Sequence, residues 1–306
     1  MKKSIMTELK TWLYSGRILL VLASVIFVFA FGVYASYRTF MITNRSLLLV
    51  ESTAAEMGMH DKFIENFTEN GAKWEPNGDR LIQELKSAES HLHAINPKHA
   101  LSYCMEMGYF FFPLLLTVIG ALVVKSDMSH GIMRSRISRE GRINYLWSKQ
   151  TVLWGMCMGC VILGVLADYC ITFLLYKYIS NQKTFSMFDM TGNSYANLGN
   201  RFTQIVFFAF YILLFLELGF CLALITKSIL IPTGMALVAF YVMPVYRYTP
   251  QNAIANIITK MCDFQGIVHY SCTDISQSAV IWIITLLLII PFSIAMIIYR
   301  FRSAYR

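Results

Sequence analysis

Six stretches of the chain read as continuous apolar runs: Ile18 to Ser36, Met107 to Val124, Thr151 to Tyr176, Thr203 to Thr226, Ser228 to Tyr246 and Ala279 to Tyr299. Each has roughly the 20 residues that an α-helix needs to cross the hydrocarbon core of a bilayer. A transmembrane barrel would show segments of about ten residues alternating apolar and polar. Runs such as TLLLIIPFSIAMIIY do not alternate. Backbone groups in lipid must be satisfied within the segment, so the pattern predicts an all-α, polytopic membrane protein with six transmembrane helices. Lys2, Lys3 and Lys10 precede the first run and Val33-Tyr34-Ala35 offers small residues for a leader peptidase. That run nevertheless has the length of a full span, and a retained helix is expected.

The segments between the runs carry their own patterns. Residues 1–17 place Ile5, Leu9, Trp12 and Leu13 near one helical face with lysines beside it, which suits an amphipathic helix lying on the inner leaflet or, more simply, a basic orienting tail. Residues 37–106 form a long external segment expected to be mostly helical. In it Arg80 to Ile95 sets Leu81, Leu85, Ala88 and Leu92 on one face, with Asp79 as N-cap, the WEPNGD turn before it and Asn96-Pro97 as the stop. Residues 177–202 and 247–278 are shorter external loops, the latter with an apolar NAIANIITKMC that suits a re-entrant or surface helix. Lys227 alone separates the fourth and fifth runs, so those helices should be close antiparallel neighbours. Residues 125–149 and 300–306 remain for the inner side.

Composition agrees with this division. The chain is 56% hydrophobic and 14% charged, with mean hydropathy +0.52, whereas soluble domains carry roughly 25% charged residues. The net charge of +8 could suggest nucleic acid, but its distribution argues otherwise. With the N-terminus inside, the inner pieces hold 14 of the 26 Lys and Arg, and their acids are only Glu8, Asp127 and Glu140. Residues 37–104 carry nine acids against seven bases. Positive charge therefore orients the chain in the cell membrane, with both termini cytoplasmic, and no nucleic-acid partner is expected.

Residues 125–149, KSDMSHGIMRSRISREGRINYLWSK, are too basic to span, yet Ile132, Met133, Ile137, Ile143, Leu146 and Trp147 recur near helical spacing. A short helix, a turn at Gly141 and entry to the third span account for the pattern. An ordinary basic inner loop is the plainer alternative. At these residues the chain resembles the membrane subunits of type-2 ABC transporters, whose loop between spans two and three runs acid, Gly, Ser-Arg and then a Lys opening span three. The matching positions are Asp127, Gly131, Ser138, Arg139 and Lys149. The resemblance implies a coupling helix that meets a separate ATPase through these residues together with Arg134 and Arg136. It implies cytoplasmic ATP-binding subunits carrying ATP and Mg, a second permease copy or paralogue, and alternating-access export. The long external segment looks more like permeases for antimicrobial peptides, lantibiotics or drugs than like polysaccharide exporters. The first helix would correspond to the family's connecting helix.

No GxxxxGK[ST] or GxGxxG motif occurs, so no nucleotide cradle and no cofactor are expected in this chain, which reads as a non-catalytic subunit. Glu217 lies within the fourth run, where an ionised carboxylate costs roughly 2.5 to 3.5 kcal/mol. It is expected to be neutral, bonded to a hydroxyl, and to line a substrate path or a subunit interface unless its role is structural. Asp168, in the third run, is a second path candidate or a residue reached by external water. Gly155 and Gly159 have the spacing that lets helices approach, within the subunit or across a dimer. Pro113, Pro232, Pro244 and Pro291 punctuate the runs, and the fifth, with two prolines and Gly234, is the one expected to break. Cys157 and Cys160 read as small apolar residues, Cys262 and Cys272 as a candidate pair, and His91, His93 and His99 as solvated residues rather than a metal site. Other readings are a self-contained ion-coupled transporter, with Glu217 carrying the proton, and a membrane immunity or sensor protein.

Overall fold

The structure, a computed structural model, describes residues 2–56, 91–92, 94–129, 131–181, 201–242, 248–261 and 274–301. Most of the expected Arg80 to Ile95 helix, the WEPNGD turn, His93, Pro244 and the Cys262–Cys272 pair lie outside these residues.

Apolar composition becomes helix throughout. The described elements are α1 (Lys2–Tyr14), α2 (Arg17–Glu56), α3 (Ala100–Ser129), α4 (Ile132–Glu140), α5 (Arg142–Ser180), α6 (Arg201–Thr226), α7 (Leu230–Leu237), α8 (Pro250–Met261) and α9 (Gln277–Phe301). Four segments are long and apolar enough to cross a membrane: Arg17–Ser46 in α2, Pro97–Ser129, which is α3 with the 3-10 turn Pro97–His99 before it, Ile143–Ser180 in α5 and Arg201–Thr226, which is α6. At 1.5 Å per residue, the 40-residue α2 and the 39-residue α5 reach about 60 Å, twice the hydrocarbon core.

Four such helices, not six, correct the sequence expectation among the described residues. The fifth run does break: α7 passes after Leu237 into a π-turn, Val238–Val242, and the apolar helix Leu230–Tyr241 is shorter than a span. Pro232 does not cause the break, because it sits in the first turn of α7, where a missing N–H has no intrahelical partner to lose. The sixth run begins α9, whose fully described part, Gln277–Leu287, is likewise a shorter apolar helix.

The centre is the pair α3 and α6, the most buried of the four long helices, flanked by α2 and α5. Their backbones touch. A Cβ at Gly219 would collide with the backbone of Thr117, and one at Gly120 with the carbonyl of Leu216. A Cβ at Gly155 or Gly159 would meet nothing within 4 Å, so these glycines make no close helix contact among the described residues.

Aromatic side chains close the same crossing, with Tyr109 edge-on to Phe208 at 5.2 Å and to Tyr211 at 4.9 Å. Pro113 removes the N–H that would bond the Tyr109 carbonyl, and the Tyr211 hydroxyl of α6 donates to that carbonyl at 2.7 Å instead. The Tyr241 hydroxyl, from the π-turn, donates to the next carbonyl, that of Phe110. Helix α8 is not a surface helix: Asn252, Ala253, Ile254, Ala255, Asn256 and Ile258 are buried, and α8 packs on the π-turn and α9.

Candidate functional site

Chemistry-bearing residues converge at the end of the bundle where α1, α4 and the starts of α2 and α5 meet the last turn of α3. In α1, Ser4, Glu8 and Trp12 recur every fourth residue and form the buried face. Trp12 therefore packs inside the protein, Ile5 and Leu9 are half-buried, and Leu13 is exposed. The expected apolar face is thus replaced by one that mixes polar groups with Trp12.

Glu8 is the hub. Its Oε2 accepts from Arg136 of α4, and its Oε1 lies 3.5 Å from the Lys149 ammonium of α5. Lys149 also pairs with Asp127 of α3, whose Oδ2 accepts the Tyr145 hydroxyl at 2.7 Å and whose Oδ1 lies 3.6 Å from Arg17 of α2. At the other end, Arg136 Nε meets Glu140 Oε1 at 3.1 Å, and Ser4 donates to Glu140. The Tyr145 ring lies between the two central cations, 5.3 Å from Arg136 and 5.6 Å from Lys149.

The result is a file of alternating charge, Arg17, Asp127, Lys149, Glu8, Arg136, Glu140, that joins five helices. Glu8 and Lys149 each retain 1% exposure. Three cations face three anions, and the balance is required, because a buried charge without its partner is strongly destabilising. Burial pushes the Glu140 carboxyl up, but hydrogen bonds from Arg136 and Ser4 and the nearby charges of Arg136 and Arg139 outweigh it and hold the group below its ordinary value of 4.5.

The motif residues divide into a buried set and an exposed set. Asp127, Arg136 and Lys149 are buried in the file, whereas Gly131, Ser138 and Arg139 are exposed. Among the described residues, Ser138 and Arg139 bond only the Ser135 carbonyl of their own helix, at 2.9 and 3.2 Å. Arg134 lies in the same helix. Gly131 and Gly141 bracket α4 with φ of 66° and 80°, left-handed values that a side chain would oppose, and they let so short a helix turn sharply at both ends.

Glu217 is held by the same part of α5. Gln150, the neighbour of Lys149, donates from Nε2 to Glu217 Oε1 at 2.7 Å, and the Cys221 thiol donates to the same oxygen at 3.1 Å. Among the described residues these partners are an amide and a thiol, where a hydroxyl was expected. Asp168 is buried against α3, where the Cys104 thiol donates to its Oδ2 at 3.2 Å, so external water does not reach it. It is not brought near Glu217 by any described contact.

Sequence reasoning misses Tyr145 and Glu106, the last fully buried in α3 just before the expected start of that span. It counts Arg17 and the acids Glu8 and Glu140 only as charges. Their scarcity was the available signal: every acid on the otherwise basic inner segments takes part in the file. Among the described residues no group of three or more His, Cys, Asp or Glu is placed to hold a metal. No known protein family, curated protein or solved structure matches the chain.

Proposed function

We propose that the chain is the permease subunit of an ATP-driven exporter, paired with a second permease and powered by separate cytoplasmic ATPase subunits that bring ATP and Mg. In this reading both termini and α4 face the cytoplasm, and the α7 and α9 regions complete a six-crossing topology. Substrates are amphipathic peptides or drug-like molecules, moved by alternating access.

One observation carries the reading. Helix α4 is bonded on its inner face, through Arg136, to Glu8 and the Ser4 carbonyl of α1, with the Tyr145 ring of α5 beside the guanidinium, while among the described residues its outer face presents Ser138 and Arg139 with bonds only to their own helix. A basic handle joined by an ion pair to α1, and through Glu8 and Lys149 to the rest of the file, suits a partner that pushes. Purification of the full chain from its native cells, in mild detergent, tests this. An ATP-hydrolysing subunit should co-purify, and Arg139→Glu should release it. Absence of any ATPase, together with unaltered transport by Arg139→Glu, would sink the proposal.

The buried acids Glu106 and Asp168, with half-buried Glu217, favour a second reading, an ion-coupled transporter. Proteoliposomes containing this chain alone would then move substrate on a pH gradient without ATP.

A further inference from the structure

Helix α1 has three different sides. At about 100° per residue around its axis, Ser4, Glu8 and Trp12 mark the buried side, held by α4 and α5. Turning away from Trp12, the half-buried Ile5 and Leu9 come next, and then Leu13 and Met6, exposed at 57% and 56%. Lys10 and Lys3, both exposed, follow directly. The circle closes through Thr7 and Thr11, whose hydroxyls bond carbonyls one turn back in α1. An apolar flank is therefore bordered by two lysines, with a polar edge beyond them. That order suits a helix at a bilayer surface, which sinks its apolar flank and lifts its lysines to the headgroups. The chain path agrees. Gly16, at φ 70°, turns α1 into the spanning helix α2, whose first fully exposed residues are Leu19 and Leu20. Leu13 and the exposed Tyr14 thus stand one bend away from the start of an apolar, outward-facing surface.

Charge decides which lipid fits. The inner segments carry 14 Lys and Arg against the three acids Glu8, Asp127 and Glu140. All three acids are engaged in the file, opposite Arg17, Arg136 and Lys149. No acid of those segments is left for the eleven other cations, Lys3 and Lys10 among them. A zwitterionic headgroup offers such lysines no net attraction, whereas an anionic leaflet attracts each of them over about a Debye length.

We propose that the outer flank of α1, formed by Met6, Leu13 and Tyr14 with Lys3 and Lys10, is a docking surface for anionic phospholipids of the adjoining leaflet. The two ammonium groups hold phosphate-bearing headgroups, and the Met6 and Leu13 side chains lie among the acyl chains beneath. The Tyr14 ring sits at headgroup level, where an amphipathic ring is favoured. Because Glu8 on the opposite side pairs with Arg136, the lipid-bound helix is the one clamped to α4.

The experiment uses the full chain carrying Tyr14→Trp, in phosphatidylcholine nanodiscs in which about one lipid in ten is brominated phosphatidylglycerol or brominated phosphatidylcholine. The parent chain in the same discs subtracts the native tryptophans. Brominated phosphatidylglycerol should quench the added emission at least about threefold more than brominated phosphatidylcholine, and about 1 M salt should collapse that preference. Lys3→Gln with Lys10→Gln should make the two lipids equal, whereas Lys3→Arg with Lys10→Arg should keep the preference. No quenching by either lipid, equal quenching in the Tyr14→Trp chain, or a preference that survives Lys3→Gln with Lys10→Gln overturns the proposal. If that glutamine pair undocks α1, the arginine pair decides, since it keeps both charges and its loss of preference overturns the proposal as well. The inference rests on the spanning helices and the file alone. No ATPase or transport step enters the measurement, so its failure leaves the exporter reading standing, and the reverse also holds.

Discussion

Glu8→Gln removes one charge from the centre of the ionic file while keeping the size of the side chain. Breaking a buried pair by removing one partner costs about 3–5 kcal/mol, because the remaining charge is left without compensation. Here the survivors keep other partners: Arg136 retains Glu140 and the Ser4 carbonyl, at 3.3 Å, and Lys149 retains Asp127. The lower end, about 3 kcal/mol, is therefore expected. The loss should appear first as detachment of α1, whose buried face consists of Ser4, Glu8 and Trp12. Amide hydrogen exchange across residues 2–14, in detergent or nanodiscs, reads that opening directly. A 3 kcal/mol change corresponds to exchange faster by roughly 10²-fold. Lys10→Gln, on the exposed face, is the control and should change exchange little. Glu8→Gln combined with Arg136→Gln should cost less than the sum of the two, by about 1–3 kcal/mol. Exchange in α1 that stays within about threefold of the parent, or additive single effects, would refute the reasoning.

Gly219→Ala should destabilise the α3–α6 crossing by about 1–3 kcal/mol through overpacking against the Thr117 backbone, whereas Gly155→Ala should be neutral; denaturation in mixed detergent compares them. Tyr211→Phe deprives the Tyr109 carbonyl of its replacement donor and should cost about 1–3 kcal/mol in the same assay. Because the folded Glu140 carboxyl titrates below 4.5, its contribution is complete above that pH and is lost as pH falls through its lowered value. In a variant keeping Trp12 as its one tryptophan, emission should stay constant from neutral pH to about 5 and shift red only below 4.5. A shift between pH 7 and 5 would contradict that assignment.

Apolar runs were readable because a membrane span needs little more than length, and Arg17–Ser46, Pro97–Ser129, Ile143–Ser180 and Arg201–Thr226 all fall on such runs. Length alone overstated the fifth run, since hydropathy is blind to a π-turn at Val238–Val242. Helix α4 and its turn at Gly141 were legible from spacing and from one glycine. The ionic file was not. Glu8 and Arg17 lie far in sequence from its other four members, and charge counting assigns Lys149 to orientation when its ammonium is in fact buried between Glu8 and Asp127. Gly155 and Gly159 matched a packing motif, yet the close approach is made by Gly120 and Gly219, which share no helix and so form no motif.

The long sequence separation within the file also bears on how the protein is made. Glu8 precedes Arg136 by 128 residues and Lys149 by 141. At 5–20 residues per second, synthesis leaves the Glu8 carboxylate without those cations for roughly 6–28 s. During that interval α1 has no counter-charge to bury against, so it must wait in contact with water while α2 and α3 enter the bilayer. Its capture is a late event in biogenesis, completed only when the start of α5 emerges from the ribosome. Chains stalled before Lys149 should carry an undocked, protease-sensitive N-terminus.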